Sequence, residues 1–134
     1  MSSVPAGEDV LDPDEPIYDV RHVADLLGVP VTKVHQHLRE GHLIAVRRGR
    51  DVVIPQIFFT DSGGVVKNLA GLLVVLHDGG YRTTEIVRWL FTPDPSLTVT
   101  RDGAREAISN ARPVDALRGH QAREVLRRAQ AMAY

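Results

Sequence analysis

The stretch from Asp19 to Pro55, DVRHVADLLGVPVTKVHQHLREGHLIAVRRGRDVVIP, constrains the fold more than any other part of the chain. Asp19 stands where its carboxylate can accept from the free amides of a first helical turn. Val20, Val23, Ala24 and Leu27 then recur at helical spacing and form one apolar stripe. Gly28 tolerates positive φ and predicts the end of that helix. Pro30 suits the start of a second helix, in which Val31, Val34 and Leu38 repeat at i, i+3, i+7 and are expected to face the first. Gly41 closes it. At about 100° per residue, Thr32, Lys33, Gln36, Arg39 and Glu40 fall on the half opposite Val34 and Leu38.

The segment after the second helix decides between an ordinary amphipathic helix with a solvated face and a reading element. Leu43–Arg48 (LIAVRR) is β-prone, Gly49 and Arg50 make a turn, and Val52–Ile54 return. Arg47, Arg48 and Arg50 cluster at the tip, more charge than solvation of a hairpin needs. Helix, tight turn, helix and basic hairpin together predict a winged helix-turn-helix, which lays its second helix in the major groove of double-stranded DNA. In that reading Thr32, Lys33, Gln36 and Arg39 meet base edges, and Arg47, Arg48 and Arg50 hold phosphates. Glu40, at the far end, is expected to face water.

The net charge of −1 conceals an asymmetry. Residues 1–18 carry Glu8, Asp9, Asp12, Asp14 and Glu15 with no basic residue, and also Pro5, Gly7, Pro13 and Pro16. This composition predicts a disordered acidic tail over 1–18, which screens the DNA-binding face electrostatically, holds a modification site at Ser2 or Ser3, or has no role beyond solubility. The winged helix-turn-helix is assigned to 19–62 and a helical C-terminal domain to 63–134. Between them, Phe58 and Phe59 anchor a linker. In the C-terminal domain, Leu69–Asp78 (LAGLLVVLHD) is apolar nearly all round. Thr83 is expected to cap a helix carrying Ile86, Val87, Trp89, Leu90 and Phe91. Asp102–Asn110 is read as a short helix, Pro113–Leu117 as a turn of helix, and His120–Met132 as a final one. The expected fold class is therefore mainly α: a winged helix-turn-helix with a short β-hairpin, then helices.

Other functions find little support. There is no Gly-x-Ser-x-Gly elbow, no phosphate-binding Gly-x-x-x-x-Gly-Lys loop and no His-Glu-x-x-His pair. The expectation is no enzyme and no cofactor. His35 and His37 are two apart on a helix, so they diverge, and no metal site is expected. The longest apolar run is too short to span a bilayer, no signal peptide is visible and cysteine is absent, which together predict a cytoplasmic protein without membrane contact.

Four segments carry a family resemblance: DVLDPDEP at Asp9–Pro16, the helix-turn-helix, WLFTPDPSLT at Trp89–Thr98 and NARPVDAL at Asn110–Leu117. From Asp9 onward the chain resembles a family of small actinobacterial winged helix-turn-helix DNA-binding proteins found in mycobacteria. The resemblance implies DNA binding, and the function expected from the whole reading is sequence-dependent DNA binding as a transcriptional regulator. The C-terminal half is also similar, more loosely, to the toxin-binding domain of the Xre/MbcA/ParS antitoxins, through Trp89, Leu90, Thr92 and Pro93 and through Pro113, Asp115 and Leu117. It differs by an insertion over Thr98–Ser109 and by lacking a glycine-rich end. That likeness implies an alternative, an antitoxin-type adaptor whose C-terminal helices bind a protein partner. The same helices offer a surface for self-association, with Ala122, Val125, Leu126 and Ala129 on one side of the last.

Overall fold

The computed structural model describes residues 6–100 and 107–134. The chain begins with two short strands, β1 (Gly7–Glu8) and β2 (Ile17–Asp19), and continues into helices α1 (Val20–Leu27) and α2 (Val31–Arg39). The hairpin β3 (Val46–Arg48) and β4 (Asp51–Pro55) comes next, then a single 3₁₀ turn at Gln56–Phe58. The C-terminal half runs α3 (Leu69–Asp78), α4 (Thr83–Phe91), β5 (Asp94–Thr100), β6 (Ala107–Ala111), α5 (Pro113–Leu117) and α6 (Ala122–Ala133).

The helix-turn-helix forms for the local reasons its sequence carries. Asp19 Oδ1 accepts from the His22 amide at 2.7 Å and opens α1. Gly28 closes α1 at φ 67°, and the Val29 amide reaches back to the Ala24 carbonyl at 3.0 Å, which satisfies carbonyls left over at the helix end. Val23, Ala24, Val34 and Leu38 are buried where the two helices meet. Val31 departs from the expected pattern. It is the first residue of α2, lies beyond the cover of α1, and is 37% exposed.

The acidic tail requires correction. The segment contributes two strands to the sheet: β1 pairs parallel with β3, β2 pairs antiparallel with β4, and the order is β1-β3-β4-β2. Leu11 is buried in the core. The apolar residues that bracket the acidic run, Val10 and Leu11 on one side and Ile17 and Tyr18 on the other, pack against the same core; between them Asp12 and Asp14 are exposed, while the Glu15 carboxylate is mostly covered. The reading of Ser2 and Ser3 concerns residues outside those described.

In the C-terminal half, Leu69, Leu72, Leu73 and Leu76 bury one side of α3, and α6 packs against this helix. Val125 and Ala129 of α6 are fully covered there, with Ala122 and Leu126 half-buried against the same core. That face therefore packs inward and closes the core. Arg82, not Thr83, occupies the cap position of α4, and the Glu85 carboxylate accepts from its amide at 2.9 Å. The helix expected over Asp102–Asn110 is also corrected: Ala107–Ala111 is a strand, paired antiparallel with β5 in the register Thr98↔Ser109 and Thr100↔Ala107; residues 101–106 lie outside those described. Thr and Val at 98–100 and Ile108 favour this pairing, because branched side chains fit a pleated surface better than a helix turn.

One hydrophobic cluster runs through both halves, from Leu11 and Val23 to Val125 and Ala129. Phe58 and Phe59, both buried, join them; Phe58 meets Phe91 at 6.0 Å between ring centroids.

Candidate nucleic-acid interface

Helix α2 sorts its side chains cleanly. Val34 and Leu38 are buried, while Thr32, Lys33, Gln36, Arg39 and Glu40 are exposed. The polar face is linked along its length. Lys33 Nζ donates to Gln36 Oε1 at 3.4 Å, and Gln36 Nε2 donates to Glu40 Oε1 at 2.6 Å. These are i, i+3 and i, i+4 neighbours, the spacings at which helix side chains meet. Glu40 is thus exposed but does more than face water, since it holds the carboxamide of Gln36. Arg39 is exposed beside this chain of bonds. His35 and His37 are half-buried on the flanks, and the His37 ring lies 5.9 Å from that of His42. Among the described residues no three His, Asp or Glu side chains are grouped as metal ligands.

At the wing the three arginines separate. Successive strand residues point to opposite faces. Val46 is buried, Arg47 is exposed on the other face, and Arg48 returns to the side of Val46 and is half-buried. Arg50, in the turn that Gly49 makes at φ 63°, is exposed. Arg48, which the sequence reading gave to a phosphate, is engaged by the N-terminal segment instead of standing open like its neighbours. Its Nε donates to Asp9 Oδ2 at 2.8 Å, and a terminal nitrogen reaches the Asp12 carbonyl at 3.3 Å. The cause is the parallel pairing of β1 with β3, which sets Glu8 opposite Arg47 and so brings Asp9 alongside Arg48. The Arg48 hydrogen bond holds the Asp9 carboxyl below its usual range, and the same bond pushes Arg48 further up. The free cations of the interface are thus Lys33, Arg39, Arg47 and Arg50; among the described residues none of these four ends on a carboxylate.

Sequence reasoning missed the second ion pair of the N-terminal segment, in which Glu15 accepts from Arg112 of the C-terminal half. Arg112 also donates to Asp115 at 2.7 Å and stands over the Phe91 ring, 5.2 Å from its centroid. Burial pulls its pKa down, but the bonds to Asp115 and Glu15 outweigh this and leave it raised. Nothing in the spacing of residues 15 and 112 announces this contact. The mixed apolar and acidic composition of 9–18 was the available sign that the segment packs.

Comparison with known proteins agrees with this architecture. Residues 3–59 match the family described as "DNA-binding protein Rv2175c, wHTH domain", and residues 66–133 match the "Rv2175c C-terminal domain of unknown function". The chain is 76% identical over 134 residues to the "DNA-binding protein Rv2175c" of Mycobacterium tuberculosis (strain ATCC 25618 / H37Rv), covering all of this chain and 92% of that protein. It belongs to the Rv2175c family. A solved structure described as "NMR structure of Rv2175c" superposes with a TM-score of 0.88 at 77% identity, covering 99% of this chain and 91% of the other. A more local similarity, 44% over 50 residues, covers 37% of this chain and 28% of the "Early upstream open reading frame" protein of Chlamydia caviae. The mycobacterial winged helix-turn-helix resemblance read from the sequence is therefore correct. In the Rv2175c family the C-terminal half is a domain of its own, and the match over 66–133 is to that domain. The family match over 3–59 also takes in the N-terminal segment that forms β1 and β2. No helix among the described residues is long and apolar enough to cross a membrane.

Proposed function

We propose that this protein binds double-stranded DNA in a sequence-dependent way and acts in transcriptional regulation. The observation that carries the reading is the exposed polar face of α2, on a helix whose other side is locked into the core by Val34 and Leu38. A helix held this rigidly presents side chains at fixed spacing to base edges. Thr32, Lys33, Gln36 and Arg39 read the major groove. Arg47 and Arg50 hold the backbone. Arg48 orients the wing from inside through Asp9. The name carried by the 76%-identical mycobacterial relative supports the same function.

The test is a salt titration of binding to duplex DNA by fluorescence polarisation. Four free cations at about −0.9 each give a slope of roughly −3 to −4 in log K against log salt for one protomer. An affinity that stays flat from low to physiological salt overturns the reading.

A further inference from the structure

The exposed face of α2 contains one side chain that electrostatics alone would exclude from a DNA-binding surface, Glu40. It sits four residues after Gln36 and one after Arg39, and its carboxylate takes the shortest hydrogen bond on the face, 2.6 Å from Gln36 Nε2. A carboxylate only accepts. The bond therefore fixes the Gln36 carboxamide with its nitrogen toward the C-terminal end of the helix and its oxygen toward Lys33. Lys33, which only donates, favours the same orientation from the other side at 3.4 Å. Lys33 has a competing use, because its ammonium is drawn to phosphate or to a guanine edge once DNA is present. Glu40 is not drawn away in this manner, because nothing on the phosphate backbone attracts it; among the described residues its one other neighbour is the His42 ring, whose Nδ1 lies 3.9 Å from the second carboxylate oxygen, Oε2, and leaves Oε1 on Gln36. Glu40 is the part of the linkage that survives binding.

The orientation matters because a carboxamide is polar along its own width. Gln pairs with adenine by donating to N7 and accepting from the N6 amino group. With donor and acceptor free to exchange by a flip, the side chain accommodates adenine on either strand. With the nitrogen pinned toward one end of the helix, only one order of N7 and N6 along the groove fits, and A·T is distinguished from T·A. We propose that Glu40 is a positioning residue for base recognition, setting the strand on which Gln36 accepts adenine. This inference rests on the DNA-binding reading above and goes beyond it by naming what the helix discriminates and through which residue.

The test uses the full chain and the duplex it retains best from a random-core library. Each base pair of that duplex is then reversed in turn, and binding is measured for wild type, Glu40→Gln, Gln36→Ala and the double variant. Glutamine at 40 keeps the length but both donates and accepts, so it no longer selects an orientation for Gln36. The wild type is expected to lose about tenfold in affinity when one particular A·T pair is reversed, the scale of a lost bidentate contact. In Glu40→Gln this penalty falls below about threefold, while affinity for unrelated duplexes rises roughly threefold because a negative charge leaves the phosphate-facing surface. A merely structural role would lower affinity and discrimination together. In Gln36→Ala the strand preference is absent, and adding Glu40→Gln changes it no further. Retention of the tenfold penalty in Glu40→Gln overturns the inference, as does a loss of preference from Glu40→Gln that persists in the Gln36→Ala background. Failure of the wild type to retain any duplex overturns the DNA-binding reading instead, and the inference with it. A readout without DNA is the Gln36 side-chain amide pair in an NMR spectrum. Its two proton resonances move on Glu40→Gln if the bond is formed in solution, and unchanged resonances count against it.

Discussion

Two sets of arginines in this molecule are used in opposite ways. In the reading half, Arg39, Arg47 and Arg50 are exposed and, among the described residues, end on no carboxylate. In the C-terminal half, Arg112 bridges Glu15 and Asp115, Arg127 pairs with Glu124, and Arg128 spans Glu124 and Asp94. The first set keeps its hydrogen-bond donors for a partner. The second uses them on the protein's own surface and junctions. Arg48 belongs to the second set although it lies between two members of the first. A count of basic residues along a hairpin therefore overstates how many stand unpaired, and the strand's alternation of faces tells which one turns back to the protein.

The largest effect expected from breaking this division comes from the N-terminal segment. Removing residues 1–19 strips β1, β2, the Asp19 cap and two ion pairs, a loss on the order of 5 kcal/mol, comparable with the whole stability of a small domain. Circular dichroism on heating should show no cooperative transition in the shortened chain; a wild-type-like transition would return the segment to the status of a tail. Next is Arg112→Ala. It leaves Glu15 and Asp115 without their cation, and because the site is about a quarter exposed the cost is set at about 2 kcal/mol, below that of a fully buried pair. Urea unfolding measures it. DNA affinity at a temperature where both proteins are folded should not move.

The wing sharpens the contrast. Arg47 and Arg50 changed together to Ala should reduce binding about tenfold at physiological salt and leave the melting temperature in place. Arg48→Ala should do the reverse, with affinity within about threefold of wild type and stability lowered by up to about 1 kcal/mol. Equal losses of affinity from both variants would erase the distinction between them. The smallest effect is a pH dependence. The Arg48 bond depresses the Asp9 carboxyl in the folded state below its ordinary value of 3.8, so the pair stabilises the fold above that value. The contribution fades as pH falls through the depressed one. Wild type and Asp9→Asn should therefore differ by less than about 1 kcal/mol near pH 7, the range of a partly exposed pair, and converge below pH 3.8. A difference that grows on acidification contradicts the pairing.

Elements defined by neighbours in sequence were legible. The Asp19 cap, the Gly28 stop and the Val34 and Leu38 stripe each act within a turn or two of helix, and spacing reports such contacts directly. The exposed face of α2 came from the same periodicity. Contacts between distant residues were not legible. A strand of two residues, Gly7–Glu8, has no pattern of its own, and its pairing with Val46 and Arg47 depends on a chain reversal far away. The five carboxylates around it read as disorder because composition registers charge and not the apolar residues on either side. The β5–β6 pair was hidden differently. The charged residues at 101, 102, 105 and 106 fit neither a clean helical stripe nor a strand's alternation, while the branched residues that favour strand stand at the margins of the stretch. Gln36 was assigned to the exposed face, where it stands, but its partner Glu40 was read as facing solvent. Spacing places two side chains on one face without showing that one of them orients the other.

The placing of β1 and β2 on the outer sides of the β3–β4 hairpin also bears on how the protein keeps to itself at high concentration. A bare hairpin offers unpaired amides and carbonyls along both borders, and such borders recruit strands from other molecules. Here both borders are occupied by the chain's own first residues, in strands of only two and three residues. Those short strands are poor templates for further growth, and Pro16, which has no amide hydrogen to offer, stands just before the second. The segment that binds Arg48 thus also acts as a guard against sheet-to-sheet aggregation, and damage to it should appear first as insolubility on expression.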